Sequence, residues 1–250
     1  MVNLNNRERK IIDLLVHEDH LSMAEISDRL NVSRVTIRSD FAGLTEKGLL
    51  VKTRGGVLPA FHPEILEKQK SQVDVKKRLA RAGADLVEDG DSIMIVAGTT
   101  MALIGKYLLG KSNIKIVTNS TLLLPYVRIN PSIQLTIVGG EFRPQAEAMV
   151  GPQSLVQLDQ YHVKTAFIGT EGFSLESGMT TQLVENAETI RKMVTLADRV
   201  VLLADSAKYN TVGFVKILPL EAADLIITDS KLPVDVQEAL LEKGHQLKIV

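Results

Sequence analysis

The stretch SIMIVAGTTMALI, residues 92–104, passes from an apolar β-type segment through Gly98-Thr99-Thr100 into an apolar segment with helical spacing. These residue types in that order suit phosphate binding. Glycine lets the backbone come close, threonine hydroxyls donate, and the free N–H groups of a following helix point at an anion. Four other apolar runs stop at small polar residues: Thr118-Asn119-Ser120, Gly139-Gly140-Glu141, Gly169-Thr170-Glu171 and Asp205-Ser206. Each alone reads equally well as a structural turn. Together they mark Gly98, Thr99, Thr100, Asn119, Ser120, Gly140, Glu141, Gly169 and Glu171 as candidate ligand contacts, because ligands of open α/β sheets bind at strand ends.

The elements that must position these residues are legible as alternating runs. SIMIVA, IKIVTN, IQLTIVGG, KTAFIGT, RVVLLADS, DLIITDS and HQLKIV are rich in Val and Ile and are separated by helix-length segments. Continuous apolar runs of this kind predict a mostly parallel sheet covered on both faces. The expectation is α/β, a doubly wound domain over residues 76–250.

A second constellation lies near the N-terminus. Ser33, Arg34, Thr36, Arg38 and Ser39 alternate with Val35 and Ile37 in a predicted helix. Arg can pair bidentately with guanine edges or phosphate, and Ser and Thr can contact either. Ser22, followed by Glu25, fits a capping box that starts the preceding helix and adds a candidate DNA contact. The short spacing of these two helices around Asn31 predicts a helix-turn-helix. Val35, Phe41 and Leu44 are expected to pack inward, and Gly48 to end the helix. LLVKTRGGV then reads as two short strands of a wing, with Lys52 and Arg54 reaching backbone phosphate. Residues 1–57 form this expected domain, and 58–75, with Pro59 and Pro63, the linker. Lys68, Lys70, Lys76, Lys77, Arg78 and Arg81 are expected on a solvated helix face.

The formal net charge of −1 argues against a wholly basic nucleic-acid binder, but charge is unevenly placed. Residues 31–56 carry five basic side chains (Arg34, Arg38, Lys47, Lys52, Arg54) against Asp40 and Glu46, a balance of +3. A local basic surface suffices to attract phosphates. The absence of Cys excludes disulfides and thiolate metal sites. A polar start, MVNLNNRERK, and the lack of any long apolar run predict a cytoplasmic chain without a membrane span.

LSMAEISDRLNVSRVTIRSDFAGLTEKGLLVKTRGGV resembles the winged helix-turn-helix of the DeoR family of bacterial transcriptional regulators, through its VS..TIR.D...L...G.L frame and Gly55-Gly56. Ser39 stands where the family usually has a second basic residue. The pieces GDSIMIVAGTT, IVTNS, IVGG, KTAFIGTEGF, GMTTQLVENAETIRKM and VVLLADSAKY resemble the family's effector domain, which is related to ribose-5-phosphate isomerase. This resemblance adds Thr180, Thr181 and Lys208 to the candidate effector contacts. It implies a homodimer or homotetramer on a double-stranded DNA operator, more often a repressor, responding to a phosphorylated sugar or related metabolite. Val96 occupies the place of the acidic residue in the family's usual DAGTT.

The alternative reading is a sugar-phosphate isomerase-like enzyme carrying a DNA-binding tail. It needs a general base near C1 and C2 of the sugar. Glu171 is the only acid in its turn, and Glu185 or Glu188 would be the other choices. Arg143 is expected as a solvent-exposed loop residue. His17 and His20, with Asp19 nearby, show no third partner of a metal site. Neither a G-x-S-x-G elbow nor a P-loop is present, so the expectation is a regulator without catalytic residues, cofactor or metal.

Overall fold

The computed structural model describes residues 4–18, 21–53 and 56–250. Arg54 and Gly55 of the expected wing, and Asp19 and His20, lie outside the described residues, as does the side chain of His17. The chain divides into two compact units, Met1–Ser71 and Gln72–Val250.

The first unit contains helices α1 (Asn6–His17), α2 (Met23–Leu30) and α3 (Arg34–Glu46), the hairpin β1 (Leu50–Thr53) and β2 (Gly56–Pro59), and helix α4 (Pro63–Lys70). Each of the first three helices starts at a side-chain cap: Asn5 accepts from the N–H of Glu8, Ser22 from Glu25 and Ser33 from Thr36. Asn31, left-handed at φ 53°, ends α2, and the Ser27 hydroxyl donates to the Val32 carbonyl at 2.5 Å. That fixes the tight turn into α3. Gly48, φ 70°, closes α3. Its N–H reaches the Thr45 carbonyl and the Leu49 N–H reaches that of Leu44, both at 2.9 Å, which is the Schellman pattern. β1 and β2 pair antiparallel from Leu50↔Pro59 to Thr53↔Gly56, as the wing reading expects.

Ile11, Ile12, Ile26, Ile37, Phe41 and Leu44 meet in one apolar core. Phe41 and Leu44 pack inward as expected, but Val35 does not: it is 78% exposed. Ile37, Phe41 and Leu44 share a stripe at i, i+4 and i+7, and Val35 lies two residues off it, on the opposite side of the helix. Leu66 of α4 joins this core, so part of the stretch expected as linker folds with the first unit.

In the second unit, α5 (Val73–Ala84) leads into β3 (Ser92–Ile95), α6 (Thr99–Tyr107), β4 (Ile114–Thr118), α7 (Leu124–Val127) and β5 (Ile133–Ile137). Then follow β6 (Glu141–Arg143), β7 (Ala148–Val150), α8 (Pro152–Leu158), β8 (Val163–Ile168), β9 (Gly172–Ser174), β10 (Gly178–Thr181) and α9 (Val184–Val194). The unit closes with β11 (Ala197–Leu203), β12 (Val215–Lys216), β13 (Leu225–Thr228), α10 (Val234–Glu242) and β14 (Leu247–Ile249).

Among the described residues, seven strands form one sheet in the order β14-β13-β11-β8-β3-β4-β5. All its pairings are parallel, and its strands are the seven apolar runs of the sequence. The chain winds outward from β3 through β4 and β5, then returns to β8 and winds the other way. With right-handed crossovers, that reversal puts helices on both faces. Two small antiparallel additions, β6–β7 and β12-β10-β9, were not expected. Their strands of two to four residues are too short to show a periodic pattern.

Lys76 corrects a second expectation: it is only 4% exposed. It lies in line with Leu79, Ala80 and Gly83 on the face of α5 that packs against α6 and the sheet. Lys77 and Lys70 remain near solvent, with Lys77 paired to Asp74 and Lys70 to Asp13 and Glu67.

Candidate functional site

Helix α3 presents Ser33, Arg34, Arg38 and Ser39 to solvent, with Thr36 half-buried. The Ser33 and Thr36 hydroxyls lie 2.9 Å apart, so the N-cap orders both. Ser22 is exposed at the start of α2, where it accepts from the Glu25 N–H at 3.2 Å. Among the described residues, no ion pair or hydrogen bond engages the side chains of Arg34, Arg38 or Lys52.

Other cations of this unit behave differently. Arg7 holds Asp40 through Nε at 2.6 Å and Nη2 at 3.0 Å. Lys47 reaches Glu8 at 2.6 Å, and Arg29 pairs with Glu18. The hydrogen bond from Arg29 holds the Glu18 carboxyl below the usual carboxylate range. Two of these pairs brace α3 against α1 through Asp40 and Lys47, and all three neutralise carboxylates of the first unit. The result is a locally positive surface on a near-neutral chain.

In the larger unit, the parallel strands deliver the five small polar turns to one edge of the sheet. The order reverses between β3 and β8, so Gly98-Thr99-Thr100 and Gly169-Thr170-Glu171 flank the switch point, where open α/β sheets form a crevice. Gly98 is the N-cap of α6 at φ 148°, a conformation other residues rarely adopt. A Cβ on Gly98 or Gly169 would touch Met101, at 3.6 and 3.7 Å, so one side chain underlies both turns. Thr99 is half-buried and Thr100 is 5% exposed.

Several predicted contacts turn out to hold the frame. Asn119 accepts from the Ala97 N–H at 2.9 Å and donates to the Met149 carbonyl at 3.1 Å, joining β3 to the β6–β7 hairpin. Thr180, fully buried, donates to the Gly172 carbonyl and accepts from the Gly213 N–H. Thr181 donates to Glu171 at 2.8 Å, and the Gln182 N–H does so at 2.7 Å, so Glu171 is held across the start of α9. Lys208 donates to the Thr170 carbonyl at 2.8 Å and lies 3.7 Å from Asp205. Ser120 is fully buried, and among the described residues its hydroxyl has no hydrogen-bond partner.

Gly140 is required by its surroundings. A Cβ there would fall 2.2 Å from Ser154 Oγ and 2.5 Å from the Val150 carbonyl oxygen. Glu141 is exposed and lies 3.0 Å from Arg143. Arg143 itself corrects an expectation. It sits in β6 and binds Glu185 of α9 through Nε at 3.2 Å and Nη2 at 2.9 Å. Hydrogen bonding to Glu185 raises the Arg143 pKa, and Glu185 is held below the usual carboxylate range by its own backbone N–H and by Arg143. The partners are 42 residues apart, and no local pattern signals the pairing. Asp229 was also missed. Burial pushes its carboxyl up, but bonds from the Ser206 N–H and hydroxyl and the Lys231 N–H prevail and hold it low. Val96 is buried, and its N–H donates to the Phe167 carbonyl, so it continues the sheet. Among the described residues, no cluster of His, Asp and Glu has the arrangement of a metal site.

Comparison with known proteins adds a family to this geometry. Residues 7–60 match the DeoR-like helix-turn-helix domain and residues 71–230 the DeoR C terminal sensor domain. The chain is 32% identical to the HTH-type transcriptional repressor GlcR of Bacillus subtilis (strain 168), over 89% of this chain and 87% of that protein. It is 26% identical to the glycerol-3-phosphate regulon repressor of Escherichia coli (strain K12), over 97% and 98%. Among solved structures, the full-length sorbitol operon regulator SorC from Klebsiella pneumoniae matches with a TM-score of 0.43 and 13% identity, over 95% of this chain and 100% of that chain. Two family domains, matched in order over most of its length, make this chain a member of the DeoR family of transcriptional regulators.

Proposed function

We propose that this regulator represses a carbohydrate-utilisation operon and is released by a phosphorylated sugar or related metabolite. Arg34, Thr36 and Arg38 read bases in the major groove, while Ser22, Ser33, Ser39, Lys52 and Arg54 contact the backbone. The observation that carries this reading is the sorting of charge around α3: among the described residues Arg34 and Arg38 stand unpaired, while Arg7 of α1 and Lys47 just past α3 close on carboxylates. Two copies in a symmetric homodimer, or four in a homotetramer, place such helices on repeated half-sites.

The metabolite binds at the carboxyl edge of the sheet. Its phosphate lies on Gly98, Thr99 and Thr100 at the N-terminus of α6, with Asn119, Ser120, Gly140, Glu141, Gly169, Glu171, Thr180, Thr181 and Lys208 lining or supporting the crevice. A relative named for a glycerol-3-phosphate regulon supports this ligand class. Binding releases DNA to the extent that the ligand favours the weakly binding arrangement. No helix among the described residues is long and apolar enough to cross a membrane.

The catalytic alternative is not favoured. A general base works best with a pKa near the operating pH. Glu185 is shifted the other way, and Glu171 is engaged by Thr181 and Gln182.

The test follows a fluorescent duplex from the chain's own upstream region, bound by the full chain, as sugar phosphates and polyol phosphates are added. Release by one of them without its turnover is the expected result. Binding without release by any member of the panel, or turnover of one, would count against the proposal.

A further inference from the structure

Val35 is the one large apolar side chain of α3 turned to solvent, and its position coincides with the cations proposed to meet DNA. It heads the stripe Val35, Arg38, Ser39 and Ala42, at i, i+3, i+4 and i+7, all exposed. The core-facing stripe Ile37, Asp40, Phe41 and Leu44 has the same spacing two residues on, about 200° around the helix. Nothing in the fold asks for valine there. It lies outside the core cluster, and a β-branched residue lowers helix propensity. Among the described residues, the other large exposed aliphatics of this unit, Val51 and Leu58, face each other across the hairpin.

We propose that Val35 is a specificity-determining residue that packs on the C5-methyl group of a thymine in the operator. The inference rests on the reading of α3 as the helix that enters the major groove. Unpaired Arg34 and Arg38 beside Val35 identify a polyanion as the occupant of this face. In the major groove, the thymine methyl is the apolar feature that an aliphatic side chain can recognise. Residues in the first turn of a recognition helix are the ones that reach base edges. Val35 therefore adds an A·T preference that Arg and Ser cannot supply.

The experiment uses the full chain and a duplex from its own upstream region, trimmed to the protected footprint. Each thymine is replaced in turn by deoxyuridine, which lacks only the methyl group. The wild-type chain is expected to bind about fourfold more weakly at one or two such positions, the loss of one buried methyl contact. Val35→Ala should bind the parent duplex more weakly and be indifferent to deoxyuridine at those same positions. Val35→Thr, which keeps one methyl, should fall between. Circular dichroism should show both variants folded, since the side chain is exposed. Wild-type indifference at every thymine, or an equal loss in Val35→Ala, overturns the assignment of Val35 and leaves the DNA reading standing. Failure of the wild-type chain to prefer the footprint over a scrambled duplex overturns both.

Discussion

The guanidinium of Arg7 in α1 closes on Asp40 in α3 through two hydrogen bonds, across 33 residues of sequence. Asp40 is 8% exposed and needs that partner, whereas Arg38, two residues earlier, lies on the opposite, exposed side of the helix. Removing one member of such a pair leaves a desolvated charge, whereas removing both does not. Arg7→Met should lower the melting temperature clearly. Arg7→Met with Asp40→Asn should recover part of the loss; a double variant no better than the single one would deny the pair its bracing role.

Arg38→Ala should weaken binding to the chain's upstream DNA by about tenfold or more and relax discrimination at one base pair. Lys52→Ala should weaken binding to all duplexes alike and reduce the salt slope by about one. Fluorescence anisotropy at several salt concentrations separates the two effects.

Thr99→Val combined with Thr100→Val removes two hydroxyls at nearly constant volume. Operator affinity should stay unchanged, and release by the active phosphate ester should require at least about tenfold more ligand, the scale of a lost charge-assisted hydrogen bond. An unchanged release curve would move the phosphate away from Gly98.

Gly140→Ala meets both a positive φ of 146° and a clash with Ser154 and the Val150 carbonyl. Destabilisation of at least about 2 kcal/mol is expected in urea denaturation, because backbone strain and overlap add. Gly90→Ala also sits at positive φ but meets open space, so it should cost less.

Glu185 has a folded-state pKa below its unfolded value, held there by its own backbone N–H and by Arg143, so these contacts stabilise the chain above the ordinary carboxylate pKa of about 4.3. That contribution is lost as pH falls through the folded value. Wild type and Glu185→Gln should therefore differ in urea midpoint at neutral pH and converge in acid. A gap that persists unchanged at low pH would assign the effect to packing.

The chain's order of elements is largely written in its residues. A strand buried on both faces must be apolar throughout, so all seven strands of the main sheet stand out as Val- and Ile-rich runs. Caps are equally local: Ser22 and Gly48 act within four residues of themselves, which is why they were readable. The DeoR resemblance was likewise carried by short motifs in a fixed order.

What tertiary structure decided is which residue meets which. Periodicity identified α3 and its inward Phe41 and Leu44, but it put Val35 with them, and a two-residue offset turned Val35 outward and Ile37 inward. Lys76 carries a charge that suggests solvent, yet α6 and the sheet cover its face of α5. Asn119, Thr180 and Thr181 have the right chemistry for a ligand, but groups brought up by distant turns claim their hydrogen bonds: backbone groups for Asn119 and Thr180, the Glu171 carboxylate for Thr181. Arg143 finds Glu185 only because β6 and α9 are folded together. Sequence by itself determined the local elements, because helix, strand and cap depend on neighbours a few residues away. Pairing, burial and the sharing of polar groups were left to the tertiary fold, because they depend on segments that sequence separates and packing unites.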